Sequence, residues 1–327
     1  MPVATQLELL DLRQFSARQL RPLLEAEAEL WQARLRWDYR SSTELLLQYL
    51  DSRILPGFVA LDRGRIAGYT FCVYEGQKAV VGDAFAQTTS EEQSLYVADA
   101  LLRKLLDLLL HSPSISRIES QLLLYDAGRM DAGFNEAGFV RHPRLFMELE
   151  LNRREQPRTS RIEGVELMPW SSLYYQAAAE LIHDAYGRHV DAEINDQYCT
   201  LHGSLRFLHN IVRFPGCGVF EERESWLLRD VATGRLAGMI LCSRVGHDVV
   251  HITQLCVAPS HRGRGLGRAL LNHTIESLRR GGTAAITLTV TESNQPAVTL
   301  YEEAGFTVRH RFDAMVLSRD SAKWTRS

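Results

Sequence analysis

Cysteine is scarce in this chain and shows no pairing pattern. Five thiols, Cys72, Cys199, Cys217, Cys242 and Cys256, are scattered over 327 residues, and no two stand at C-x-x-C spacing. That excludes a disulfide framework and leaves reduced thiols in a cytoplasmic setting as the expectation. Cys199 and His202 form one C-x-x-H, but no second pair stands at zinc spacing, so no metal is expected. Charge of one sign is also missing. A net charge of −3 provides no basic field for nucleic acid, which is not expected as a partner. Long apolar runs are absent too. The longest candidate, "ALLRKLLDLLL" from Ala100, is broken by Arg103, Lys104 and Asp107. It falls short of the roughly 20 residues that span a bilayer and reads as an amphipathic helix. The first residues lack a basic segment followed by an apolar core, so neither a secretory leader nor a membrane partner is expected. Apolar residues as such are plentiful: a 45% hydrophobic chain of this length suits two folded domains.

What is present is a weak internal repeat. "NRREQPRTSR", Asn152 to Arg161, has no apolar residue and reads as a linker, placed at 152–162 between domains at 1–151 and 163–327. On either side, Ile66-Ala67-Gly68 matches Leu236-Ala237-Gly238, and Ala137-Gly138-Phe139 matches Ala304-Gly305-Phe306. The offsets, 236 − 66 = 170 and 304 − 137 = 167, nearly agree, as a tandem duplication requires.

In the second half, apolar spacings of three and four predict helix over about 170–214. Strands are predicted at 218–228, 235–245 and 249–257. Leu266, Ala269, Leu270, Ile275 and Leu278 line one helical face that ends at "RRGG". "AAITLTVT" from Ala284 alternates as a half-buried strand. A short helix from Pro296 and a last strand through 313–317 complete a mixed α/β domain.

Between strand and helix lies "LCVAPSHRGRGLGRAL", Leu255 to Leu270. It is not a Walker loop, because no Gly-Lys follows at the required spacing, and not a dinucleotide loop, because the third glycine would fall at Arg268. Its spacing is Arg262-Gly263-Arg264-Gly265-Leu266-Gly267. Glycines let backbone N–H groups approach phosphate oxygens, and the helix that follows directs its unpaired N–H groups and positive dipole end to the same place. Arg262, Arg264 and Arg268 add cations at the rim.

This pattern of an arginine, two residues, glycine, one residue, glycine resembles the acyl-CoA pyrophosphate loop of the GCN5-related N-acetyltransferase (GNAT) superfamily. "SNQPAVTLYEEAGF" is similar to that family's next motif, with Asn294, Tyr301 and Gly305-Phe306 at the usual intervals. The motifs run from Leu255 to Phe306, and the flanking pattern fits over about 163–320. The resemblance implies two tandem domains, each a mixed, mostly antiparallel sheet flanked by helices. It implies acetyl-CoA as cosubstrate, held by Arg262, Gly263, Arg264, Gly265, Leu266, Gly267 and Arg268 and by Asn294. The backbone of Leu255, Cys256 and Val257 would pair with the pantetheine arm. It also implies direct transfer to an amine in a ternary complex, without an acyl-cysteine at Cys256.

By the same resemblance Tyr301 supplies a proton to the leaving thiolate. The amine must lose a proton, and an imidazole suits that task at neutral pH. His251, on the strand before the loop, matches a histidine position of some arylalkylamine acetyltransferases and is the candidate base; a base acting through water, or one from 183–210, stays open. In the first half the loop is missing. Ser90, Glu91 and Glu92 stand near its place, where carboxylates would repel pyrophosphate. That half reads as a folded, non-catalytic copy. The tandem plan is similar to the mycothiol synthase family, although that family usually keeps a CoA loop in its first copy. The expected function is N-acetylation of a small-molecule primary amine by a monomer or dimer. Protein or peptide acetylation and non-enzymatic acyl-CoA sensing are the alternatives.

Overall fold

The computed structural model describes residues 7–151, 163–213, 216 and 218–319. The linker expected at 152–162 and Cys217 lie outside the described residues. The first half runs β1 (Leu7–Asp11), α1 (Ala17–Leu35), α2 (Arg40–Asp51), β2 (Gly57–Asp62), β3 (Arg65–Glu75), β4 (Lys78–Ala86), α3 (Glu91–Leu110), β5 (Arg117–Gln121), α4 (Ala132–Glu136) and β6 (Val140–Glu150). The second runs β7 (Val165–Pro169), α5 (Tyr175–Tyr186), α6 (Val190–Ile194), α7 (Leu201–Arg213), β8 (Val219–Phe220), β9 (Trp226–Asp230), β10 (Leu236–Arg244), β11 (Val249–Val257), α8 (Leu266–Arg280), β12 (Ala285–Thr291), α9 (Gln295–Glu303) and β13 (Thr307–Ser318). No helix among the described residues is long and apolar enough to cross a membrane.

The mixed α/β class and the mostly antiparallel sheets are as the sequence predicts. The helical stretch expected at 170–214 divides into three helices, because His189 caps α6 and Asn195 caps a further 3-10 turn. The strand expected over 218–228 is broken by a 3-10 turn at Glu222–Glu224, where Ser225 turns its hydroxyl to the Glu221 carbonyl.

The repeat is written into the ladders. Pairing of β3 with β4 shifts register between Phe71 and Cys72, leaving Gly82 as the extra residue. Pairing of β10 with β11 shifts between Leu241 and Cys242, leaving Thr253 extra. The offset is again 241 − 71 = 170. In both halves a parallel neighbour then parts company. β4 pairs β5 only from Lys78 to Val81, and β11 pairs β12 only from Val249 to Ile252. Beyond those points each strand keeps one edge open.

The chain forms two compact units that do not coincide with its halves. One comprises 1–35, 39–143 and 311–327; the other comprises 36–38 and 144–310. The long strands β6 and β13 are the reason. From Arg144 to Glu150, β6 pairs antiparallel with β12. From Ala314 to Ser318, β13 pairs antiparallel with β5. The two strands echo each other in sequence, so pattern alone does not say which sheet takes which.

In the first unit α3 lies on the sheet through Val97, Leu101, Leu102 and Leu105, all fully buried. In the second, α8 and α9 cover one face through Leu266, Leu270, Ile275 and Tyr301. There α5 and α7 cover the other, where Cys256 is buried with Ile182 and Leu208.

Candidate active site

The site is built where β11 ends and α8 begins. Gly263 and Gly265 have φ of +75° and +76°, a left-handed backbone that glycine adopts without strain. Gly265 is the N-cap of α8, and no side chain caps that end. The first N–H groups of a 15-residue helix are therefore open to a ligand. Gly267 faces only Leu300 and Val257, both at ordinary contact distance. Leu266 is buried and pins the helix start.

The three arginines are all engaged. Arg262 donates to the Ala185 carbonyl at 2.7 Å, Arg264 to the Glu163 carbonyl at 3.2 Å, and Arg268 pairs with Glu303. Sequence reasoning missed the anchor that holds this loop. His261 Nε2 lies 2.8 Å from Asp230 at the end of β9. The His261 hydrogen bond, with those from Thr233, holds the Asp230 carboxyl well below the usual carboxylate range. Beside Arg262 lies a depression of about 390 Å³, lined also by His183, Arg188, His189 and Pro259.

Leu255, Cys256 and Val257 pair with β10 on one edge and with nothing from β12 on the other. The Leu255 carbonyl accepts from the Tyr186 hydroxyl at 2.8 Å. Burial pushes the Cys256 thiol up to about 12, against the charge of Arg262, so it stays a protonated thiol at neutral pH. Tyr301 is buried on α9, its ring 5.8 Å from Phe306. Burial first, then the charge of Asp191, raises its phenol above the ordinary value. Asn294 begins α9, with no side-chain capping bond of its own, and its carbonyl accepts from Ala297 and Val298.

His251 stands earlier on β11. It is 5% exposed, its Nδ1 2.9 Å from the Thr287 hydroxyl, and its ring lies against Trp37 and Phe146 at 5.0 and 5.9 Å. Burial, helped by Arg144, lowers its pKa to about 3. A histidine this reluctant to take a proton is a core residue held neutral. The consequence is measurable. Acid protonates the unfolded chain before the folded one, so stability drains as pH falls from about 6.5 to about 3. H251Q is expected to flatten that decline in urea midpoints measured across this range; an unchanged slope would contradict the burial.

The structure also brings in Asp191, which the sequence did not single out. It stands in the first turn of α6, its side chain 16% exposed. It accepts from the Thr291 hydroxyl and lies 3.2 Å from His189 Nδ1. Burial alone would raise its pKa, but His189, Arg144 and Thr291 outweigh it and hold the carboxyl below its usual range.

The corresponding place in the first unit differs at the helix start. Ser90 caps α3 by accepting from the Gln93 N–H at 3.2 Å, with Glu91 and Glu92 in the first turn. The Ala84 carbonyl, in the register position of Leu255, accepts from the Tyr125 hydroxyl at 2.7 Å. Asp83 on the same open arm is buried with Glu27, and burial raises both carboxyls.

Comparison with known proteins agrees with this geometry. The model of the acetyltransferase (GNAT) family matches residues 175–306. A [ribosomal protein bS18]-alanine N-acetyltransferase of Escherichia coli is 35% identical over 92 residues, 27% of this chain and 62% of that relative. A mycothiol acetyltransferase of Thermomonospora curvata is 36% identical over 115 residues, 30% of this chain and 38% of the relative. The chain thus spans less than two thirds of these curated relatives. Two solved structures share the fold over 96% of its length. One is a GCN5-related N-acetyltransferase from Sphaerobacter thermophilus, with a TM-score of 0.66, 17% identity and 96% of each chain covered. The other is a tandem GNAT protein from the clavulanic acid biosynthesis pathway, with a TM-score of 0.61, 16% identity and coverage of 96% and 99%. Residues 175–306 thus match the acetyltransferase (GNAT) family, and the chain shares the fold of a tandem GNAT protein.

Proposed function

We propose that the protein is an acetyl-CoA-dependent N-acetyltransferase acting on a primary amine of a small molecule, with one active site, in the unit formed by 36–38 and 144–310. The observation that carries this is the uncapped start of α8 beside the open arm of β11, with Tyr301 buried on α9. The loop from Arg262 to Arg268 holds the pyrophosphate by backbone N–H groups, and the free edge of Leu255–Val257 pairs with the pantetheine arm. Asn294 borders the same arm. The amine nitrogen attacks the thioester carbonyl, the C–N bond forms and the C–S bond breaks. Tyr301 gives its proton to the sulfur. The proton released by the amine restores the phenol, directly or through water. Cys256 stays a spectator, because its thiol holds its proton.

The first unit, with α3 capped by Ser90 and with Glu91 and Glu92 in its first turn, is the non-catalytic copy. The test is calorimetric titration with acetyl-CoA. One equivalent is expected to bind per chain. G265V forces a β-branched residue to φ near +76°, at a cost of about 1–2 kcal/mol, and is expected to weaken binding about tenfold or more. Unchanged affinity in G265V would overturn the assignment of the loop.

A further inference from the structure

We propose that the acceptor is an amino acid with a free carboxylate, its ammonium received by Asp191 and its carboxylate by Arg144. This rests on the acetyl-transfer reading above and names its substrate class.

On β12, Thr287, Thr289 and Thr291 point to one face, since alternate residues of a strand share a side. Each hydroxyl meets a different polar group. Thr287 meets neutral His251 at 2.9 Å, Thr289 meets Arg144 at 3.4 Å, and Thr291 donates to Asp191. Arg144 stands directly across the β6–β12 ladder from Thr291. A cation and an anion therefore flank one threonine at the end of β12 that has left β11.

The two charges do not consume each other. Asp191 lies 3.2 Å from His189 Nδ1, and no ion pair joins it to Arg144 among the described residues. The long contact with Thr289 is the hydrogen bond Arg144 makes, and its Nε is buried without a partner. Each charge still influences its surroundings. Arg144 lowers the pKa of both Asp191 and His251, and Asp191 raises that of Tyr301. A partly desolvated guanidinium with an unused donor fits a carboxylate, and an ionised carboxylate whose charge reaches Tyr301 fits an ammonium. A ligand that presents both groups close together satisfies both sites. A chain terminus of a protein, whose first carboxyl is an amide, satisfies only one.

The experiment uses the full chain with acetyl-CoA and matched acceptors, a panel of amino acids against their amides and against short peptides, read as thiol release. The wild type is expected to prefer the free carboxylate by at least about tenfold in kcat/KM. R144Q is expected to erase that preference, slowing the amino acid while leaving the amide within about twofold, at unchanged acetyl-CoA affinity. D191N is expected to slow both members. Equal use of the pair by wild type, faster use of peptides, or an R144Q that slows both members alike overturns the inference and leaves acetyl transfer standing. Failure to bind acetyl-CoA would instead overturn the reading beneath it.

Discussion

A chain cut to 163–327 is expected to show no cooperative unfolding transition and no acetyl-CoA binding, although it contains every motif of the loop and of α9. The cut removes β6, and with it the antiparallel neighbour of β12 over seven residue pairs from Ala285 to Thr291. Leu145, Phe146, Met147 and Leu149 leave the core with it. Four such side chains, at about 1.5–3 kcal/mol each, amount to most of the 5–15 kcal/mol by which a domain is usually stable. The cut also removes Glu148, which is buried between Arg36 at 2.7 Å and Arg309 at 2.6 Å. It leaves β12 as a bare apolar edge, prone to aggregation. A fragment starting at Val140, which restores β6, is expected to recover a urea transition, at a lower midpoint than the full chain because Trp37 is still missing from its place over His251. A 163–327 fragment with the full chain's midpoint would refute the role of the exchanged strand.

The same strand marks the limit of what the sequence discloses. The glycine loop was legible because its chemistry is local: left-handed turns, an uncapped helix start and a spacing all fall within seven residues. The short helix that carries Tyr301 was legible because one helix and one strand, each with its own periodicity, separate it from the loop. His251 is the opposite case. Its alternation with Thr253 looks like a solvent-facing or ligand-facing strand, and its burial comes from Trp37 and Phe146, which belong to the other half of the sequence. Arg144 was invisible as a site residue, since nothing in "RHPRLFMELEL" tells which sheet its end will join. Asp191 looked like an ordinary acid in a helix's first turn. Only its bond to Thr291 and its influence on Tyr301 separate it from one. Local backbone chemistry thus read through, and side-chain roles set by long-range pairing did not.

Tyr301→Phe is expected to lower kcat by about a hundredfold to ten-thousandfold, the range that a positioned general acid contributes. Affinity for acetyl-CoA is expected to stay within about twofold. The substitution is gentle on the fold. The ring keeps its packing against Phe306, and the hydroxyl makes no protein hydrogen bond among the described residues, so its loss orphans no partner. The phenol keeps its proton through neutral pH because burial and nearby negative charge raise it above its ordinary value. It is therefore available as a donor when the C–S bond breaks. The leaving group decides between this role and simple packing. An acyl thioester whose thiol is more acidic needs less help to depart, so the penalty of Tyr301→Phe should shrink as leaving-thiol pKa falls. Measured with a series of CoA-analogue thioesters, a penalty that is the same for every leaving group would assign Tyr301 to packing, and a penalty that vanishes for the most acidic thiol would identify it as the acid.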